Sequence, residues 1–492
     1  MIKTGKIKLT ALMLLAALML LTACAGKPAA RTEDAAGPES GDTQTAEPDI
    51  LDGLDFKGAD YRINMSATDI SSHVYMESLG ESTGDVALDS VYERNLAVQE
   101  KLNVNFVYTE TDFGWSSVTN EVRKIVLSGE DAFELIVNDE IGLAAAGVEK
   151  LLVNVYECEY FDFKKPGWWH DYMRDLTIGN DKMYLLVGDY FIDVLRKSHV
   201  IYFNRAMFRE LYGNPDDLYA AVIGGSWTYD EFLKHIIGAY SDTDGSGSKS
   251  RADTFGLIIG GVGGSIFPFS YGTDAPFVTR DAQGVPSLTM NNERSNKLYE
   301  KIYAAFYNDA TDCGNYYTEP SALHAKFIGD GSLFISGAGI GDFDIFRSME
   351  SDIGLLPYPK LDETQSSYVT VVHDTAEIGV IPITCTNTAM ASAVVQALCQ
   401  ESAKTVVPAY YETALKVKYV RDNYSAQMID LVHDGISGLF TLVYGAAHVN
   451  NIFTWAFLEP LQAKSESWIS SYAKRESAAI EGLDKLIEAY LN

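Results

Sequence analysis

The chain has 492 residues, with 68 acidic against 38 basic side chains and a formal net charge of −30. So acidic a protein is a poor partner for nucleic acid or an anionic membrane surface, both of which are held by clustered Lys and Arg. Its 47% hydrophobic and 12% aromatic content is ample for a core, and the length predicts two lobes rather than one.

At the N-terminus Lys3, Lys6 and Lys8 flank the start of an apolar run, residues 9–21, too short to span a bilayer. That is the order of a secretory signal, expected over residues 1–23 and outside the fold. The run ends in Leu21-Thr22-Ala23-Cys24, which resembles the bacterial lipobox. The resemblance implies that Cys24 is the lipidated first residue of an extracytoplasmic protein held to the bacterial cell membrane by that anchor alone. Residues 25–49 are mostly Ala, Gly, Pro, Ser, Thr, Glu and Asp, without the branched and aromatic side chains whose burial offsets ordering entropy. Residues 24–54 are read as the lipidated cysteine and a flexible tether.

Residues 60–65 alternate polar and apolar side chains and predict a first strand; 91–101 are helix-like and lead into a second alternating strand at 104–108. An amphipathic helix at 118–127 precedes a short apolar strand at 133–137, then Asn138-Asp139-Glu140 and another helix. Strands alternating with helices predict a largely parallel, covered sheet. The second lobe is expected to begin after Trp168-Trp169, with a strand at 200–203, a helix at 205–211 and a helix start at 226–231. There Thr228 and Glu231 have the spacing of a capping box. Cys158, Cys313, Cys385 and Cys399 are widely spaced with no CxxC pair; zinc-site spacing is absent, and disulfides and buried free thiols both stay open.

Five segments then stand in a telling order: 133–139 followed by Leu143-Ala144-Ala145-Ala146-Gly147; Ile201-Tyr202-Phe203-Asn204-Arg205; Ser226-Trp227-Thr228-Tyr229-Asp230-Glu231; 325–337; and Ile353-Gly354-Leu355-Leu356-Pro357-Tyr358-Pro359. Together they resemble the extracellular solute-binding proteins of sugar ABC importers, the maltose-binding-like group. The resemblance implies an α/β, two-lobed, type II periplasmic-binding-protein-like fold with two or three hinge crossings, a ligand cleft and closure by hinge bending. Lobe one is expected at 55–165 plus about 325–375, and lobe two at 166–324 plus about 376–492. The segment 71–91 and the helical part after Thr405, including Tyr410-Tyr411-Glu412, Lys416-Val417-Lys418 and Arg421-Asp422, depart from the group's pattern and leave the solute open.

Sugar recognition needs aromatic faces for the C–H side of a ring and charged or amide groups for its hydroxyls. Asp139, just past a strand, resembles in position a sugar-binding acid of the group, although it reads equally as a helix-start acid. Trp168 and Trp169 lie in a polar turn, unlike core tryptophans. Trp455 is a further candidate against simple core packing, whereas Trp227 is expected to pack a helix start. The group's stacking tryptophan near 337–343 is missing here, and Asp342 or Phe343 stands in its place.

One segment suggests a metal. Residues 242–253 place Asp242, Asp244, Ser246, Ser250 and Asp253 at positions one, three, five, nine and twelve, with Gly247 at six. That is EF-hand-like spacing for Ca2+, weakened by Asp rather than Glu at twelve and by Lys249 and Arg251, and set against the plainer reading of a polar surface loop. No G-x-S-x-G, H-E-x-x-H or G-x-x-x-x-G-K-[ST] motif is present, and Gly260-Gly261-Val262-Gly263-Gly264 lacks the lysine of a phosphate loop. The sequence is thus read as a non-enzymatic receptor that captures a small solute, a sugar or oligosaccharide, for the permease subunits of an ABC importer. A lipid-anchored glycoside hydrolase and a solute sensor for a signalling partner are the alternatives.

Overall fold

Two sheets organise the chain in a computed structural model, which describes residues 49–66, 81–112, 114, 116–314, 316, 319–416, 423–449 and 451–491. The signal, Cys24 and most of the tether lie outside the described residues, as do 71–80, 417–418 and Arg421-Asp422. The chain divides into Met1–Asp49 and Ile50–Asn492, and all that follows belongs to the latter.

The first sheet runs β11-β3-β1-β2, from Glu377–Val380, Leu135–Asp139, Ala59–Ser66 and Val104–Thr111. Strands β1, β2 and β3 are mutually parallel and β11 is antiparallel to β3, so the expected parallel core is present. Leu135, Ile136 and Val137 are fully buried, as a strand covered on both faces requires. The helix Val86–Leu102 packs against β2 and against the helices Thr388–Lys404 and Val406–Lys416. It buries Ala87, Val91, Val98 and Leu102 along one face, starts on Asp85, whose carboxylate accepts from the amides of Ala87 and Leu88, and stops at Asn103 in the left-handed conformation.

The second sheet runs β10-β4-β9-β5-β8, from Ile353–Leu356, His199–Asn204, Ser332–Gly339, Phe255–Ile258 and Thr311–Asp312. A hairpin of β6, Val278–Arg280, and β7, Pro286–Leu288, stands apart. In β10, Gly354 lies opposite Phe203, and a Cβ there would come within 2.3 Å of that ring.

These pairings redraw the expected lobe boundaries. The segment 332–356 belongs to the second sheet, because β9 pairs with β4 and β5, and β10 with β4. Conversely β11 and the helix Thr388–Lys404 complete the first lobe, not the second. The second lobe also starts later than Trp168-Trp169: Trp168 bridges Gly188, and Leu186 exchanges backbone hydrogen bonds with Gly379 of β11 at 2.8 and 3.0 Å. The chain therefore crosses at about 189–198, through the short helix Ile192–Arg196, and returns at about 371–376. Gly379 is pinned beneath the first crossing, since a Cβ would approach Phe191 to 2.3 Å.

The C-terminal helices span both halves: Ile452–Gln462 packs on Val262–Tyr271, which follows β5, while Glu476–Leu491 packs on Glu140–Val148, which follows β3. Thr228 does precede the helix Tyr229–Gly238, but makes no side-chain cap. Glu231 turns to Lys234 and His235 instead of reaching back, so the capping box is not formed. Trp227 is fully buried and donates its indole N–H to Pro357 O at 2.9 Å, as expected of a residue packing that helix start. Cys158, Cys385 and Cys399 are buried and Cys313 half-buried; all four are free thiols. Among the described residues no helix is long and apolar enough to cross a membrane.

Candidate functional site

The two crossings and the end of β9 enclose a polar cleft between the sheets. Arg196 and Lys197 come from the first crossing, His199 from the start of β4, Gly337, Gly339, Gly341 and Asp342 from β9 and the turn after it, and His373 and Thr375 from the second crossing. The cavity measures about 260 Å3. Its glycines let backbones meet closely: a Cβ on Gly339 would lie 2.6 Å from Arg196 O. Asp342 turns back to accept from the Gly339 amide at 2.8 Å.

The crossings are tied to each other by charge. Asp193 is fully buried, pairs with Lys197 at 2.8 Å and accepts from the Glu377 amide at 3.1 Å. Lys197 also donates to Thr375 O at 2.7 Å, so one ammonium links residues of both crossings. Antiparallel pairing sets Glu377 directly opposite Asp139, placing two carboxyl groups side by side at the end of the first sheet.

Burial dominates their titration. It raises Asp139 to about 7, with Asp374 adding to the rise and the Gly142 amide and Lys197 opposing it. It raises Glu377 to about 8 with help from Asp193, and Glu140 to about 8 against a hydrogen bond from Tyr172 at 2.9 Å. His199 is pushed the other way, down to about 3, by burial and by His373, whose ring lies 5.5 Å from its own. It is therefore neutral near pH 7, and its buried Nδ1 makes no hydrogen bond. The cleft thus offers carboxylate, imidazole and ammonium groups close together, a set suited to a solute with many hydroxyls.

Two further hollows flank the segment 433–441. One, about 430 Å3, is lined by Trp168, Trp169, His170, Asp189, His433 and Asp434 among others. The other, about 400 Å3, includes Asp175, Tyr271, Phe277, Arg280 and Phe440.

Of the residues singled out from sequence, Asp342 lines the cleft, and Asp139 stands beside Lys197 and Asp374. Asp139 is only 5% exposed and caps the helix Glu140–Val148 by accepting from Gly142 N at 3.2 Å. Trp168 and Trp169 line the 430 Å3 hollow instead. Their indoles donate to Gln396 at 2.9 Å and Asp189 at 2.6 Å, and Trp169 meets the His433 ring edge-on at 5.1 Å. Trp455 is half-exposed on the helix Ile452–Gln462 and lines none of the three. Phe343 is buried against Tyr202, which removes it as a stacking wall. Lys197, His199 and His373 went unread in the sequence; the only signal was that Lys197-Ser198-His199 leads directly into the strand at 200–203. Asp242, Asp244, Ser246 and Asp253 gather in the loop before β5, outside these cavities.

No family model and no curated protein matches the sequence. Solved structures do match the fold. The GacH receptor of Streptomyces glaucescens, solved unliganded and in complex with acarbose, aligns with a TM-score of 0.54 at 10% identity, over 87% of this chain and 99% of its own. A cyclo/maltodextrin-binding protein complexed with maltotetraose gives 0.55 at 11%, over 88% and 97%. UgpB of Mycobacterium tuberculosis, complexed with glycerophosphocholine, gives 0.55 at 12%, over 87% and 99%. The chain has the two-lobed, type II periplasmic-binding-protein fold.

Proposed function

We propose that this chain is an extracytoplasmic solute-binding protein that captures a small sugar and delivers it to the permease of an ABC importer. The observation that carries the reading is the cleft itself, walled by both interlobe crossings and by β9 of the second lobe, so that a solute held there bears directly on the segments that join the lobes. A solute contacting both lobes binds the closed arrangement better than the open one and shifts the population toward it. The closed form is what a permease then recognises. A cavity of about 260 Å3 lies at the small end of ligand pockets, which favours a mono- or disaccharide over a long oligosaccharide. The bound oligosaccharide of the maltodextrin-binding neighbour supports a sugar; the glycerophosphocholine of UgpB supports a polar, hydroxyl-bearing solute more broadly. The lipobox-like sequence at Cys24 supports lipid anchoring to the bacterial cell membrane, tested by loss of membrane association in Cys24→Ala.

The deciding experiment is thermal shift followed by calorimetry with mono- and oligosaccharides, against glycerophosphodiesters, amino acids and peptides. A true solute at about a hundred times its dissociation constant adds roughly 2.7 kcal/mol of stability, and is recovered chemically unchanged. Stabilisation by peptides alone would remove the sugar assignment, and hydrolysis of the sugar would mark a glycosidase instead.

A further inference from the structure

The acidic loop 242–253 is left unused by that function, and we propose that it is a Ca2+ site. The loop is pinched shut at its base, where Ser241 and Thr254 exchange backbone hydrogen bonds, both 3.0 Å, at the residues flanking its first and twelfth positions. Within it Asp242, Asp244 and Asp253 each bring a carboxylate oxygen within 4.8 Å of the others. Gly247, at position six, has φ 72°, the left-handed turn such a loop needs.

Asp253 supplies the independent observation. It is fully buried; its Oδ2 accepts from Ser250 N at 2.7 Å and Tyr240 OH at 3.1 Å, while its Oδ1 has no hydrogen-bond partner. A buried carboxylate oxygen without a donor is costly in a native fold and calls for a partner, which a bound cation supplies. Nearby cations do not fill the role. Lys249 turns to the carbonyls of Asn308 and Thr311, and Arg251 lies over the Tyr316 ring at 4.4 Å and pairs with Glu319 at 3.5 Å. Lys326 donates to the backbone carbonyls of Arg251 and Asp253, not to the carboxylates.

The donors on offer, three carboxylates with Ser246 Oγ and the Ser248 carbonyl, are all oxygen, which selects a hard divalent ion over Zn2+. Asp at position twelve reaches less far than the usual Glu, so the affinity belongs with extracellular modules, Kd about 10⁻⁴ to 10⁻³ M. The ion would fasten the connection between the helix Tyr229–Gly238 and β5.

The test uses the full chain, stripped with a chelator, and CaCl2 or MgCl2 as the only additive. Melting temperature should rise with CaCl2 over about 0.1 to 10 mM and far less with MgCl2. Tb3+ should emit through excitation of Tyr240, which touches Asp253, and CaCl2 should displace that emission. Asp244→Asn, at an exposed position, keeps the fold and should weaken Ca2+ binding roughly tenfold or more while leaving solute affinity unchanged. Absence of both responses, an equal response to MgCl2, or an undiminished response in Asp244→Asn overturns the assignment.

Discussion

Lys197→Met probes the charge that joins the crossings. Asp193 has no exposed surface, and the ammonium at 2.8 Å is the cation that neutralises it; Lys197 itself is 17% exposed. Removing one partner of a buried pair typically costs 3–5 kcal/mol, because the other charge is left desolvated and uncompensated. Partial exposure of the lysine lets some water in, which places the expected loss at about 3 kcal/mol. The lost bond to Thr375 O adds to it without a charge penalty. Urea unfolding of the solute-free protein, followed by tryptophan fluorescence, measures the change. The double variant Asp193→Asn/Lys197→Met should recover most of it, since Asn keeps an oxygen for the Glu377 amide. A single-variant loss below about 1 kcal/mol, or no recovery in the double variant, would refute the reasoning that the pair behaves as buried.

Three other outcomes are expected. Above about pH 7 unfolded histidines are largely neutral, so the raised carboxyls set the slope. The folded protein holds the Glu377 and Glu140 protons to about 8 while the unfolded chain released them near 4.5; melting temperature should therefore fall between pH 7 and 8 and flatten in Glu377→Gln. Asp139→Ala should lose about 1 kcal/mol with its helix cap, whereas Asp139→Asn keeps the cap; a drop in solute affinity in the Asn variant, read by calorimetry, isolates a solute contact from capping. Gly379→Ala drives a methyl into Phe191 and should cost about 1–3 kcal/mol by the same urea assay.

Three strands of the first sheet were legible because each is local: alternation or an apolar run predicted β1, β2 and β3 within a few residues of their observed bounds, whereas β11 went unread. Order in space was not legible. Ser332–Gly339 reads the same whether it joins the first sheet or the second, because a fully buried apolar strand carries no mark of its partners; only the register with β4 and β5 decides. The cleft suffered similarly. Asp342 was found through its loop, but Lys197 and His199 precede an apolar strand without any pattern of their own, and a crossing becomes visible only when both sheets are placed. Trp168 and Trp169 are half-buried and packed against the core, and the hollow they line is bounded by His433 and Asp434 from a distant helix.

Strand β11 has a consequence for how the protein is made. Leu135–Asp139 has no neighbour on its outer edge until Glu377–Val380 has emerged, after every strand of the second sheet. During synthesis the first lobe therefore carries an open sheet edge, a ready template for mispairing, and its closure waits on contacts of long sequence separation, which form slowly. A nascent chain in that state is not yet locked into native structure, the condition in which a polypeptide can still be threaded through a translocation pore. The same late strand makes truncation unforgiving: a chain ending before residue 377 retains the entire second sheet and yet never finishes the first.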